Sequence, residues 1–143
     1  MGQYTIKGLY NGYKKNNSER SALDYYATPT NEVVNILNEL NYNFSNQTIL
    51  EPCVGGGHMM DGIIEYCESK SQLPKKYIGT EWADRGYQND KCDIQYELDF
   101  LSDDYPIESA DIIIMNPPYA TLEPFLIRAL EIAKDKLIVL CRT

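Results

Sequence analysis

The sequence is poor in several features that would point to common classes of protein. It has one histidine, His58, and its four cysteines form no C-x-x-C pair, so no zinc site is predicted. No apolar run approaches the roughly 20 residues that a membrane-spanning helix needs, and the N-terminus lacks the apolar stretch of a secretory signal. We therefore expect a cytoplasmic protein without a metal ion or membrane partner, whose thiols are reduced and mostly buried.

Positive charge is also scarce, and it is unevenly spread. The 143 residues include 13 basic and 21 acidic side chains, a net charge of −8. Residues 1–20 hold four basic residues and one acid, while the remainder is strongly acidic. We interpret residues 1–24 as a polar, solvated N-terminal arm. The acidic body argues against tight DNA binding by this chain alone, because nucleic-acid-binding proteins usually carry a basic footprint.

The rest of the chain, residues 25–143, alternates between strand and helix patterns. Thr28 and Pro29 resemble the cap and first turn of a helix. Predicted strands cover Thr48–Glu51, Lys76–Trp82, Asp93–Leu98, Asp111–Met115 and Lys136–Cys141, and predicted helices cover Asn31–Leu40, His58–Ser69, Ala83–Asn89 and Leu122–Lys134. This alternation predicts an α/β fold with a doubly wound, mainly parallel sheet of about five strands. Ligands of such sheets bind beyond the carboxyl ends of the strands.

A glycine-rich loop, Glu51-Pro52-Cys53-Val54-Gly55-Gly56-Gly57, follows the first predicted strand. Glycines allow close approach of a ligand, and the next helix offers free N–H groups. No Lys-Ser/Thr follows the glycines, so a Walker-type phosphate loop is excluded, and Met60 breaks the G-x-G-x-x-G pattern of dehydrogenases. The carboxylate of Glu51 suits a ligand cation, such as an ammonium group, better than a phosphate.

Acidic residues also end the next two predicted strands. Glu81 stands where an acid can accept hydrogen bonds from ribose hydroxyls. Asp99 follows the third strand and could hold an adenine amine, with the neighbouring Phe100 packed on the ring. These positions would lie at one edge of the sheet.

The most informative stretch is Asn116-Pro117-Pro118-Tyr119, directly after the buried fourth strand. Two prolines end the strand and remove two N–H donors, so the loop presents carbonyl groups. The Asn116 side chain adds another carbonyl, and together they can accept both hydrogens of a planar amino group. Tyr119 provides a ring that can stack on a flat substrate.

With these motifs in this order, the chain resembles the S-adenosylmethionine-dependent amino-methyltransferases with a Rossmann-like fold. Asn116–Tyr119 matches their [DNS]-P-P-[YFW] motif, and Tyr25-Tyr26-Ala27-Thr28-Pro29 looks like the segment before the cofactor loop in DNA adenine-N6 methyltransferases. The resemblance implies S-adenosyl-L-methionine as cofactor and the N6 amine of adenine in DNA as acceptor. It implies catalytic roles for Asn116, Pro117, Pro118 and Tyr119, and cofactor contacts from Tyr26, Thr28, Glu51, Pro52, Gly55, Gly57, Glu81, Trp82, Asp99, Phe100 and Asn116.

Two departures leave alternatives open. The family sheet has seven strands, and no target-recognition segment follows Tyr119. The Lys136–Cys141 strand would be an apolar edge, which predicts a missing C-terminal segment, a second copy or another subunit as its cover. The alternatives are a methyltransferase of a protein glutamine amide or an RNA base, and a truncated, non-catalytic remnant that binds cofactor or a partner.

Overall fold

The computed structural model of the protein describes residues 27–141. The elements in chain order are α1 (Thr30–Leu40), β1 (Thr48–Glu51), α2 (His58–Ser69), β2 (Lys76–Glu81), β3 (Cys92–Tyr96), β4 (Ala110–Met115), a 3₁₀ helix (Tyr119–Thr121), α3 (Leu122–Ile132) and β5 (Ala133–Val139). No helix in this part of the chain is long and apolar enough to cross a membrane. The predicted positions of β1 and α2 are confirmed to the residue.

All strand pairings of the sheet are parallel, and the strand order is β3-β2-β1-β4-β5. This is the predicted Rossmann-like α/β fold. The central strand β1 pairs with β2 on one side and with β4 on the other; Leu50 lies opposite Ile78 and Ile113. The chain crosses the sheet in one direction from β1 to β3 and in the opposite direction from β4 to β5. The strand order therefore reverses at the boundary between the neighbouring strands β1 and β4. Folds of this kind bind their ligands at that reversal point.

Alternate side chains of the strands pack in two apolar layers, one on each face of the sheet, because successive residues of a strand point to opposite faces. On one face, Ile49 and Ile112 are buried with residues of α1 and α2, including Leu37 and Ile63. On the other face, Leu50, Ile113 and Met115 are buried with Phe125, Ala129 and Ile132 of α3 and with Phe100 and Tyr105 of the β3–β4 connection. Both faces are covered, which explains why β4 is a continuous apolar run.

The predicted helix at Ala83–Asn89 is wrong, since this segment is irregular. Gly86 has a left-handed backbone (φ 77°), and its N–H donates to the Asp84 side chain, so a local turn replaces the helix. The Tyr87 hydroxyl then donates to Asp61 of α2 at 2.6 Å, and the Tyr87 carbonyl accepts from the hydroxyl of Tyr96. Contacts to α2 and β3, rather than local periodicity, determine the course of this segment.

Other element ends differ from the prediction. The first helix is not capped by Thr28, because Pro29 occupies the cap position and no side chain caps the helix. The third strand ends at Tyr96, since Glu97 has a left-handed backbone (φ 61°). Helix α3 ends at Ile132 and β5 begins at once at Ala133, three residues earlier than predicted.

The four cysteines are free thiols, as expected, but the expectation that most are buried is wrong. Cys67 alone is fully buried, Cys53 and Cys92 are half-buried and Cys141 is exposed. Among the described residues, β5 pairs only with β4 and forms an edge of the sheet. Whether another segment or subunit covers this edge stays a prediction.

Gly57 begins α2 at a position that no larger residue fits. Its backbone is left-handed (φ 87°), and an added Cβ would lie 2.0 Å from Cδ1 of the Tyr87 ring. We expect Gly57→Ala to lower the free energy of unfolding by roughly 2–4 kcal/mol, through backbone strain and overpacking together.

Gly86→Ala is the matched control, because Gly86 is also left-handed (φ 77°) but an added Cβ there would have no atom of residues 27–141 within 4 Å. It should lower the free energy of unfolding by about 1 kcal/mol, from backbone strain alone. Urea unfolding of both variants measures the difference. Equal losses would mean that Tyr87 does not pack against Gly57.

Candidate functional site

A cleft lies at the carboxyl ends of β1, β2 and β4 and encloses about 720 Å³ of space, part of which is open to solvent. It is at the reversal point of the sheet, where a ligand is expected. Ten residues named from the sequence line it: Thr28, Glu51, Pro52, Gly55, Glu81, Trp82, Asp99, Phe100, Asn116 and Pro118. Gly57, Pro117 and Tyr119 are not in this lining, and Tyr26 lies outside the described residues.

Glu51 is the most unusual residue of the cleft. Its side chain is 1% exposed, and its Oε1 is buried without a hydrogen-bond partner among the described residues. Burial raises the pKa of the Glu51 carboxyl well above its ordinary value, and the charges of Glu81 and Asp61 raise it further. A buried carboxylate oxygen without a donor is unfavourable, so this position favours a cationic ligand group with N–H donors.

The glycine loop is attached to the neighbouring strand through Glu81. One carboxylate oxygen, Oε1, accepts a hydrogen bond from the Gly55 N–H at 3.0 Å, and the other accepts from the Trp82 N–H at 2.8 Å. Burial raises the pKa of the Glu81 carboxyl, although both donors and the charge of Arg85 act in the opposite direction. The Ala83 N–H acts on this carboxylate as a third backbone donor. A carboxylate has about four lone-pair sites, so Glu81 can still accept a hydroxyl group of a ligand.

Gly55 and Gly57 have different local environments. Gly55 is left-handed (φ 55°) and lines the cleft, as its predicted role requires. Gly57 begins α2 with a left-handed backbone and packs under the Tyr87 ring. These two constraints require a glycine at this position whether or not a ligand binds. A cofactor contact from Gly57 stays a prediction.

Asp99 and Phe100 form the wall of the cleft beyond β3. Asp99 Oδ1 accepts the Leu101 N–H at 3.0 Å, in a turn that places Asp99 and Phe100 at the cleft. Phe100 is 2% exposed and packs edge-on against Tyr105 and at a tilt against Phe125, each at 5.1 Å between ring centroids. The wall is therefore a rigid apolar surface beside a carboxylate, which suits a flat, nitrogen-rich ring.

The Asn116–Tyr119 loop leaves β4 at the opposite wall. The Asn116 side chain donates through Nδ2 to Thr28 Oγ1 at 2.7 Å, and the Asn116 backbone carbonyl accepts from Cys53 Sγ at 3.5 Å. The loop is thus in contact with the glycine loop and with the segment before α1. Tyr119 begins the 3₁₀ helix and is 49% exposed, outside the cleft. The partly exposed Tyr119 side chain can therefore contact a second molecule that binds beside the cleft.

Several lining residues were not predicted from the sequence. They are Ala27, Cys53, Val54, Gly56, His58, Met59, Arg85, Leu98 and Phe125. Cys53, Val54 and Gly56 lie within the loop already identified. His58, Met59 and Phe125 belong to predicted helices and were assigned to no site. For His58 and Met59 a signal was present, because a helix that follows a glycine loop points its first residues at the ligand edge. Arg85 lies in the segment predicted wrongly as helix.

No protein-family model matches the sequence. No curated protein matches it either.

Solved structures match the fold. A protein from Pyrococcus horikoshii, described as a candidate RNA methyltransferase, aligns with a TM-score of 0.57 and 23% sequence identity over 82% of this chain. A protein from Streptococcus thermophilus, described as a candidate hemolysin, aligns with a TM-score of 0.60 and 12% identity over 79% of this chain. The chain spans 64% and 42% of the lengths of those two proteins, respectively. At such low identity the similarity establishes the Rossmann-like fold, which this chain shares with a protein described as a methyltransferase.

Proposed function

We propose that the chain is an S-adenosylmethionine-dependent methyltransferase that acts on an amino group. The observation that carries the proposal is one cleft that holds two chemically different groups. At the end of β1 lies the Glu51 carboxylate oxygen that is buried without a hydrogen-bond partner among the described residues, and after the neighbouring strand β4 lies the Asn116 amide. The first suits a ligand ammonium group, and the second suits an acceptor amine.

The residues of the cleft fit the parts of this cofactor. Glu51 would bind the ammonium of its methionine portion, and Glu81 would accept its ribose hydroxyls. Asp99 would accept from the adenine amine, and Phe100 would pack against the adenine ring. Among the described residues, three carboxylates and one arginine, Arg85, line the cleft, which favours a ligand with net positive charge.

Bound S-adenosylmethionine supplies an already activated methyl group. The chain's own residues act on the acceptor. The lone pair of an aromatic amine is delocalised into its ring, which makes the nitrogen a weak nucleophile. Asn116 Oδ1 and the Pro117 carbonyl would accept its two hydrogens, which favours a pyramidal nitrogen and frees the lone pair. Correct orientation can contribute up to about 7–11 kcal/mol to such a reaction.

The proposed acceptor is the N6 amine of adenine in DNA, on the strength of the Asn116–Tyr119 motif and the segment that includes Thr28 and Pro29. A base in a duplex would have to leave the stack to reach the cleft, and the half-exposed Tyr119 ring would stack on it. An RNA base is a second candidate, which the description of the Pyrococcus protein favours. The acidic composition of this chain suits a protein acceptor better than either nucleic acid. If neither nucleic acid is methylated, two alternatives remain: methylation of a protein glutamine amide, or a non-catalytic remnant that only binds cofactor or a partner.

Calorimetric titration of S-adenosylmethionine into the chain tests the proposal. We expect saturable binding at one site, weakened roughly 10-fold to 100-fold by Glu81→Ala through the loss of hydrogen bonds to a charged acceptor. Glu65→Ala is the matched control, because Glu65 is an exposed glutamate of α2 outside the cleft lining, and it should leave the affinity unchanged. Absence of binding to the wild-type chain would refute the proposed cofactor.

A panel of acceptors separates the candidates once the cofactor binds. Labelled methyl transfer is measured to DNA without adenine methylation, to unmodified RNA and to a glutamine-containing peptide. Transfer to DNA at adenine supports the first candidate, and transfer to RNA alone replaces it with the second. Cofactor binding without transfer to any of them indicates the non-catalytic alternative.

A further inference from the structure

We propose that Thr28 is a positioning residue that fixes the orientation of the Asn116 side-chain amide. This inference rests on the proposed function, because it gives the amide oxygen a task toward an acceptor amine. It assigns Thr28 a role different from the cofactor contact that its motif implies.

The Thr28 hydroxyl is not used by the helix that follows it. The sequence pattern predicts a cap, but Pro29 occupies that position and α1 has no side-chain cap. Thr30 does not replace it, since its hydroxyl donates to the His58 carbonyl at 2.8 Å. Thr28 Oγ1 instead accepts Asn116 Nδ2 at 2.7 Å, across 88 positions of sequence. Thr28 is only 8% exposed, so water competes little for this hydrogen bond.

This hydrogen bond matters because the two ends of an amide have opposite chemistry. The oxygen accepts and the nitrogen donates, yet the two have nearly the same shape. When Nδ2 faces Thr28, Oδ1 occupies the other branch of the planar group. Rotation by about 180° would present N–H donors to an acceptor amine, which also carries N–H donors. The backbone of Asn116 is held separately by the Cys53 thiol, so Thr28 acts on the side chain.

A carboxylate at this position would respond differently. Its two oxygens are equivalent, so rotation changes nothing that an acceptor amine could detect. Loss of the Thr28 hydroxyl should therefore lower kcat for methyl transfer more beside Asn116 than beside an aspartate. If Thr28 had a purely structural role, loss of its hydroxyl would lower kcat by the same factor beside Asn116 and beside an aspartate.

The kinetic test is a double-mutant cycle with Thr28→Val and Asn116→Asp. In the Asn116 background, Thr28→Val should lower kcat for labelled methyl transfer roughly tenfold, the effect of one lost hydrogen bond. In the Asn116→Asp background it should lower kcat less than about threefold. Thr28→Ser keeps the hydroxyl and should restore kcat, while Thr28→Val should change the Kd for S-adenosylmethionine less than kcat. Equal costs in the two backgrounds would overturn the proposal.

A second readout needs neither cofactor nor acceptor. In the ¹⁵N–¹H spectrum of the labelled chain, the Asn116 side-chain pair is identified by its absence from the Asn116→Asp variant. We expect Thr28→Val, but not Thr28→Ser, to move its bonded proton upfield; an unmoved pair would refute the contact. A shifted pair in a chain that methylates nothing would refute the proposed function and leave the orienting contact established.

Discussion

Glu51→Gln is expected to abolish cofactor binding and, at the same time, to stabilise the fold. Glutamine keeps the shape of the side chain but removes the charge that would hold a ligand ammonium. The affinity for S-adenosylmethionine should fall roughly 100-fold, since a buried charged hydrogen bond is lost and a donor is placed against a donor. Titration calorimetry measures the loss, and Glu65→Gln on the exposed face of α2 should leave the affinity unchanged.

The stability effect of this substitution has a defined pH dependence. Burial, together with Glu81 and Asp61, raises the pKa of Glu51 in the folded chain above its ordinary value of 4.5. Below that value the carboxyl is protonated in both states and costs nothing. As the pH rises above it, the unfolded chain releases the proton and the folded chain retains it, so wild-type stability falls until the folded pKa is passed. Glutamine has no such loss.

Thermal unfolding of wild type and Glu51→Gln across pH tests this sign. The gain in Tm from Glu51→Gln should be small near about pH 4 and should grow toward about pH 7.5. Cofactor affinity of the wild type should rise over the same range, because the ammonium needs the ionised carboxylate. A Tm lowered by the substitution at neutral pH would mean that Glu51 is paired in the folded chain.

Asn116→Ala is expected to remove methyl transfer and to leave cofactor binding nearly unchanged. The acceptor oxygen of the side chain is lost, whereas the backbone carbonyl of Asn116 keeps its contact with Cys53 Sγ. We expect kcat to fall by on the order of 10²-fold or more, comparable to the loss of one preorganised polar contact in other active sites. The Kd for S-adenosylmethionine should change less than about threefold, because the substitution leaves unchanged the three carboxylates that would bind the cofactor.

The matched control for this prediction is Asn116→Asp, which keeps an acceptor oxygen at the same place and should retain measurable transfer. Both variants are compared by single-turnover transfer of a labelled methyl group and by calorimetry. Equal loss of transfer and of cofactor affinity in Asn116→Ala would show that Asn116 serves the cofactor rather than the acceptor.

The sequence predicted the sheet well because its strands carry strong local signals. Ile112, Ile113 and Ile114 form a continuous apolar run, and both faces of their strand are covered. The carboxyl ends of parallel strands meet at one edge, so the residues after each strand could be assigned to one cleft before any contact was known. Local pattern and global fold agree at these positions.

The errors lie where distant contacts decide the structure. The segment from Ala83 to Asn89 follows the contact of Tyr87 with Asp61, 26 residues earlier, which no local period reveals. The hydroxyl of Thr28 bonds to Asn116 instead of capping the adjacent helix. Arg85 lies in the same irregular segment and lines the cleft. It was not predicted as a site residue because the segment was interpreted as a helix.

The hydrogen bond from the Gly55 N–H to Glu81 has a consequence for how quickly a ligand can bind. Together with the hydrogen bond from the Val54 N–H to the Thr80 carbonyl, it joins the loop after β1 to the end of β2, so two walls of the cleft are already fixed relative to each other. A ligand that enters has little loop entropy to remove, which lowers the cost of binding. Association should therefore follow a single exponential whose rate rises linearly with ligand concentration, without the plateau that a slow loop closure would impose.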